Sequence, residues 1–483
     1  MILSTRAVRV SVVPEYVGAE LGDERRSKRL VGIVRRLQTK PRAAFPEAMQ
    51  SSAELEGFYR FVNNPEIAAG DILAPHHAAS LERAEQAKTV LVVHDTTHAE
   101  FPGRVPRRGL GMVTTKHSHG FLAHFSLAVQ MDEGRTPLGV LAMKTFTRTG
   151  TKWQRVKKSR TRVRDDPTRE SLRWWEGMET VERDRQGRFE AIHVMDAEAD
   201  FFELLRRAQD AGIRFVVRVG QQKRNVRDGD ELVSLREVAD RMTPAAWRKV
   251  RVNARYRFKG EPRSRIKKHP AREGRMARLA MAAMPVCLHR TKYSRLGGQI
   301  ELMLVRVWEP NPPPNAPPVE WLLLTSEPGK TKADLARIVD IYRARWVIED
   351  YFKALKTGCA LERRQIDSYE ALTKATAIFA PIAYRLLLLR GLARQQPSAS
   401  AREYFSDTEL CILRSHDATR ELAPLKTLGD AMLYLARMGG HLKHNGSPGW
   451  QTLGRGYEEL LSLKAGWEAA SVAASAGRRS DQS

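Results

Sequence analysis

Apolar positions divide the chain into a helical front, an alternating middle and a helical back. In GDERRSKRLVGIVRRLQ (22–38), Leu30, Ile33, Val34 and Leu37 share one helical face behind Asp23. That spacing predicts an amphipathic helix capped by Asp23. SSAELEGFYRFVNNPEI (51–67) predicts a second helix that stops at Asn63-Asn64-Pro65. TVLVVHDTT (89–97) is continuously apolar and β-branched, as a central strand covered on both faces requires, and it ends in Asp95. GFLAHFSLAVQM (120–131) and PLGVLAMKTFTR (137–148) alternate and predict antiparallel neighbours. ESLRWWEGMETVERD (170–184) reads as a helix, FEAIHVMDAEADFFELLRRAQDAG (189–212) as strand, Asp196, helix, and IRFVVRV (213–219) as a strand.

Between about 220 and 320 helical periodicity fades, which predicts a β-rich insertion. Two stretches there and nearby are dense in Lys and Arg. TKWQRVKKSRTRVRDD (151–166) reads as a loop, and 255–278 as a basic loop or a ribbon lying on DNA. WEPNPPPNAPP (308–318) is a proline-rich connector. From 331 the chain is helical, and its last dozen residues read as a disordered tail. Arg385 and Arg390 interrupt the most apolar stretch, 377–393, so it predicts a buried helix and not a membrane span.

Charge changes the picture from a globular protein to one with a polyanionic partner. The 483 residues suggest about three domains. Their net charge is +25 and the pI near 10.2. Nucleic acid is the first choice of partner; no basic membrane-binding helix or lipidation signal supports an acidic membrane. Arg25, Arg26, Lys28, Arg29, Arg35 and Arg36 decorate the first helix, as a DNA-contacting bundle needs. The apolar run at the front has no small-residue cleavage site, so no signal peptide is expected. Three scattered cysteines, Cys287, Cys359 and Cys411, suggest a reducing cytoplasm and no zinc knuckle.

The candidate chemistry is acidic. Asp95 and Asp196 each follow apolar strand residues, at the sheet rim where α/β folds gather ligands. In YRARWVIEDYFKALK (342–356), Tyr342, Arg345, Glu349 and Lys356 recur within roughly 60° on an ideal helix, with Lys353 beside them. A solvated face of ion pairs has the same spacing. Trp346 and the apolar flanks, EWLLLTSEP (320–328) and ATAIFAPIAYRLLLLRGLA (375–393), favour a site in the core. Three carboxylates from three elements suit two divalent ions held by oxygen ligands. Taken singly, each aspartate is also an ordinary strand-end turn or cap. Asp200 could cap or pair with Arg207. His94 and His98 raise a zinc alternative that lacks a third ligand at suitable spacing.

HDTT (94–97), MDAEAD (195–200), EWLLLTSEP (320–328), IYRARWVIEDYFKALKTG (341–358), LARMGG (435–440), LGDERRSKRL (21–30) and FYRFVNNP (58–65) together resemble the DDE transposases of bacterial insertion sequences. The likeness is to the group with a Tyr-Arg-Glu-Lys signature, and it runs from about residue 15 to about 467. It implies an α/β fold: an RNase H-like catalytic core over 71–375 with the β-rich insertion at 220–320. An N-terminal helical DNA-end-binding domain (1–70) and a C-terminal helical dimerisation region (376–470) would flank it, with a tail at 471–483.

The resemblance also implies roles. Asp95, Asp196 and Glu349 would hold two Mg²⁺ ions, with Mn²⁺ as a substitute. Tyr342, Arg345, Lys356 and Arg218 would bind DNA phosphates, and Trp321 would stack a flipped base. The partners would be double-stranded DNA, both transposon ends and target, and a second copy of the chain in a synaptic complex. The setting would be the bacterial cytoplasm, at the nucleoid. Cleavage, hairpin formation, hairpin opening and strand transfer would follow at one site. Ala197, Val219 and Gly220 depart from the pattern and put local end contacts in doubt. Two other readings remain: a DNA-binding regulator of transposase descent, and a general RNase H-like nuclease or resolvase.

Overall fold

The computed structural model describes residues 11–101, 103, 107–113, 118–148, 169–228, 231–252, 254–255, 271–290, 296–314, 316–416, 424–442, 448 and 450–480. The basic stretch 151–166 and most of 255–278 lie outside them.

One mixed sheet organises the chain, with neighbours in the order β2-β3-β1-β5-β6-β12-β11-β10-β7-β8. Its centre is β1 (Thr89–Phe101), β5 (Glu190–Met195) and β6 (Arg214–Arg218), which run parallel. β3 (His119–Gln130) lies antiparallel to β1 and carries β2 (Gly111–Met112) and β4 (Pro137–Phe146). Residues 220–320 contain β7 (Asn225–Asp228), β8 (Glu231–Ser234), β9 (Ala246–Val252), β10 (Arg275–His289) and β11 (Gln299–Trp308), and the apolar strand expected at 320–328 follows as β12 (Glu320–Thr325). These strands join the core sheet. β12 pairs antiparallel with β6 over Leu323↔Arg218 to Thr325↔Val216, covering what would be an open edge.

Helices cover the sheet. At the front are α1 (Glu24–Thr39), α2 (Phe45–Ala48), α3 (Ser52–Asn63) and α4 (Ala69–Ala87). Asp23 caps α1 by accepting from Arg25 N, and Leu30, Ile33, Val34 and Leu37 are buried as their spacing requires. Ser51 caps α3. α5 (Leu172–Arg185), α6 (Phe202–Asp210) and α7 (Leu235–Arg241) follow among the strands. α8 (Lys332–Arg343), α9 (Trp346–Lys353) and α10 (Tyr369–Gln395) come after β12. The apolar stretch of α10 is the one described helix long and apolar enough to cross a membrane, and it is entirely buried inside the fold.

Three expected boundaries change. The limit at 375/376 falls inside α10, because that helix is the shared core of front, middle and back. Tyr16 donates to the Ile378 carbonyl and Lys374 to that of Asn64. The back comprises α11 (Asp407–His416), α12 (Leu428–Met438) and α13 (Trp450–Ser480). Gly456 of α13 presses on α12 so closely that a Cβ there would lie 1.7 Å from the Leu435 carbonyl. The backbone of α13 continues to Ser480, where a tail was expected from 471; its alanines favour helix. Finally, β1 does not stop at Asp95 but runs on to Phe101, because β3 pairs it along that whole length.

Candidate active site

The positions of Asp95 and Asp196 follow from strand register. β1 and β5 pair in parallel up to Val93↔Val194, and each aspartate comes two residues later. β5 has then ended, so both acids stand where the parallel pairing opens. Each is held by a local N–H: Thr96 N donates to Asp95 Oδ1 at 2.7 Å, and Glu198 N to Asp196 Oδ1 at 2.8 Å. Burial pushes the Asp95 carboxyl up to about 7, and the Asp196 and Glu349 charges add to it against Arg345. Burial also raises Asp196.

The signature segment is not one regular helix. α8 ends at Arg343, and Arg345 N bonds the Tyr342 carbonyl at 3.1 Å, an i→i−3 contact that tightens the turn. α9 follows, then a π-helical turn at Ala354–Gly358. These departures shift the stripe expected from an ideal helix. Arg345 is buried and bridges two acids, Nη1 to Asp95 Oδ2 and Nη2 to Glu349 Oε1, both at 3.1 Å. Burial works against its charge, but Tyr342, Asp95 and Glu349 more than offset that. Tyr342 is buried, with the half-buried Trp321 ring edge-on at 5.7 Å. Arg218 and Asp196 both act on its hydroxyl, and burial raises its pKa.

Asp95, Asp196, Tyr342, Arg345, Glu349, Trp321 and Arg218 are therefore neighbours. Lys356 faces elsewhere. Its Nζ pairs with Glu362 at 3.3 Å and lines a cavity of about 550 Å³ with Arg42, Glu100, His119 and Arg363. Lys353 pairs with Asp350 at an exposed position. Asp200 does not pair with Arg207: it accepts from Gly220 N and Gln221 N and is bridged to Arg224 at 2.7 Å. The zinc alternative separates, since His94 is buried while His98 is exposed and paired with Glu100.

A polar layer that the sequence did not reveal lies behind the aspartates. Arg173 of α5 donates to Thr96 Oγ1 at 2.7 Å and to Glu198 Oε2 at 2.6 Å. Those are the two residues whose N–H groups hold Asp95 and Asp196. Below them His94 Nε2 meets His193 Nδ1 at 2.7 Å, and His193 Nε2 meets Glu182 at 3.0 Å. Burial keeps His94 and His193 neutral, and burial with the Arg173 charge pushes His124 down to about 3. In sequence, Arg173 is one of three arginines on the helix 172–185 and nothing local marks it out.

The donor set fits a hard divalent cation. It consists of carboxylate oxygens, two of them raised by burial and crowding, which a cation would relieve. Among the described residues no three His, Cys, Asp or Glu side chains are gathered closely enough to hold a metal ion as they stand; Arg345 bridges two of the acids instead.

A mixed sheet with acids at its parallel opening, in a chain of this positive charge, suits chemistry on a polyanion. Residues 13–67 match the family model described as Transposase DNA-binding, and residues 178–380 match that described as Transposase DDE domain. The chain thus carries a transposase DNA-binding domain and a DDE transposase domain, and is a metal-dependent, DNA-cleaving transposase. The DDE match includes Asp196 and Glu349 and begins after Asp95.

Proposed function

We propose that this protein is a cut-and-paste DNA transposase of the Tyr-Arg-Glu-Lys group, the group of the kanamycin-resistance transposon's enzyme. The observation that carries the reading is Asp95 and Asp196 side by side at the opening of β1 and β5, with Arg345 reaching from Asp95 to Glu349. Asp95, Asp196 and Glu349 would hold two Mg²⁺ ions, or Mn²⁺ in their place. Bound there, such ions activate the attacking oxygen and stabilise the leaving one in phosphodiester displacement.

The side chains do the remaining work. Arg345, now on two carboxylates, offers a planar fork that also suits a DNA phosphate. Tyr342 and Arg218 would hold the strand beside it, and Lys356 would hold phosphates further along. Trp321 would receive a flipped base as the strand end bends into a hairpin; stacking on such a face is worth about 1–3 kcal/mol. Residues 13–67 would read the transposon end. Leu433, Leu463 and Trp467 are exposed on α12 and α13, as a helical dimer face of a synaptic pair would need. The setting would be the bacterial cytoplasm, at the nucleoid.

The test is a supercoiled plasmid carrying the DNA that flanks the gene, incubated with protein and Mg²⁺, wild type beside Asp196→Ala. Release of the flanked segment with transient hairpin ends, by wild type alone, is expected. Retarded but uncut DNA from both proteins would instead favour a DNA-binding regulator.

A further inference from the structure

β9 and the first half of β10 form a two-stranded ribbon, in register from Arg275↔Val252 to Met281↔Ala246. β11 pairs β10 only from Ala280 onward, so the ribbon reaches beyond the sheet. Its inner face is anchored: Ala246, Val252, Ala277, Leu279 and Met281 belong to the main core. Arg248 pairs at 2.9 Å with Asp340 of α8, the helix that carries Tyr342.

The outer face is different. It presents Trp247, Lys249 and Arg251 from β9, and Met276 and Arg278 from β10, all exposed. Neither 246–252 nor 275–281 contains an acidic residue. Arg278 stands directly opposite Lys249, and among the described residues Lys249 and Arg251 form no ion pair. Like charges opposite one another destabilise a sheet, so an external anion would relieve this face. The Arg278 guanidinium lies 4.2 Å over the Trp247 ring, which holds the charge in place and covers one face of the indole.

We propose that this outer face is a docking surface for the phosphate backbone of duplex DNA, independent of base sequence. Among the described residues Lys249, Arg251 and Arg278 form no ion pair, and with no acid on the two strands they complement a row of phosphates. A protein partner would need a row of acids matched to these positions, whereas duplex DNA carries one negative charge about every 1.7 Å along its axis. A single strand would seek a free aromatic face, and Arg278 occupies one. The inference rests on the reading of the chain as a DNA-binding transposase and adds a surface outside residues 13–67 and outside the acidic site.

The test is fluorescence anisotropy of the full-length protein with a short duplex of unrelated sequence, without metal, across a salt series. Wild type is compared with the combined Lys249→Ala, Arg251→Ala, Arg278→Ala variant. A control removes equal charge at Arg241, Lys330 and Arg402, exposed positions elsewhere. The ribbon variant is expected to lower the slope of log affinity against log salt by about 2.7, at about 0.9 per lost phosphate contact, and the control to leave it unchanged. Arg278→Gln alone should lower it by about 0.9. Equal slopes for ribbon variant and control would overturn the proposal, as would a larger loss on single-stranded than on duplex DNA. Absence of binding by wild type would overturn the DNA-binding reading itself. Retained duplex binding with failed plasmid excision would leave the ribbon standing and count against the proposed chemistry alone.

Discussion

The Arg345 guanidinium donates to Asp95 Oδ2 at 3.1 Å across 250 residues of chain. It donates equally to Glu349, four residues ahead of it. One planar cation therefore holds a β-strand acid and a helical acid in a common place. We expect Arg345→Ala to lower the rate of first-strand cleavage by about 10²–10³-fold, the usual cost of one preorganised donor. Arg345→Lys should recover little, because an ammonium cannot fork between two partners. Glu349→Ala should abolish cleavage and leave end binding intact. Gel retardation beside a nicking assay reads both; end binding lost in step with cleavage would sink this assignment.

Arg173 acts one layer back. It ties Thr96 to Glu198 and so fixes the N–H groups that hold both aspartates. Substituting such outer partners of a metal site typically costs about 10–100-fold in metal affinity or activity. For Arg173→Ala, the Mn²⁺ concentration for half-maximal occupancy, followed by electron paramagnetic resonance, should rise within that range. End binding should stay unchanged. Unaltered Mn²⁺ binding alongside a lower melting temperature would reduce Arg173 to a packing residue.

Trp321 is half-buried and edge-on to Tyr342, whose hydroxyl feels the Asp196 charge. Trp321→Ala should slow hairpin formation more than the first nick, because only the hairpin requires an unstacked base. Time courses on a pre-nicked end separate the two steps. Equal slowing of both would remove the stacking role.

Glu15 is buried with His76 at 2.7 Å, Arg83 at 3.0 Å and Arg385 at 3.6 Å. Burial pushes its carboxyl up, but these partners outweigh that and hold it far below the usual carboxylate range. A carboxyl with a folded-state pKa below its unfolded value of about 4.3 contributes stability in full above that value. The contribution is lost as pH falls towards the folded value. Glu15→Gln, which removes the buried carboxylate that His76 and the half-buried Arg83 share, should cost about 3–5 kcal/mol at neutral pH. It should also flatten the loss of stability between about pH 5 and 3. Urea midpoints across that range check it; a slope identical to wild type would contradict the linkage.

Much of this protein was legible from sequence because local rules fixed it. Leu30, Ile33, Val34 and Leu37 at helical spacing behind Asp23 admit one buried face, and the structure buries that face. The β-branched run before Asp95 had to be a covered strand, and Asp196 had to follow β5. Asp95 and Asp196 stood out in sequence behind apolar strand residues, and Tyr342 and Glu349 on one helical stripe. Tertiary structure decided what spacing cannot carry. The extension of β1 to Phe101 depends on β3, and the merging of the insertion with the core sheet depends on β12 finding the open edge of β6. The signature helix tightens at Arg345 and relaxes into a π turn that contains Lys356, and that lysine pairs with Glu362. Arg173 became a bridge between β1 and the turn after β5 only when α5 packed over them. Periodicity along a chain reports which face of an element is buried. It carries no record of which distant partner lies against that face, because such pairing is chosen by the energy of the whole packed core.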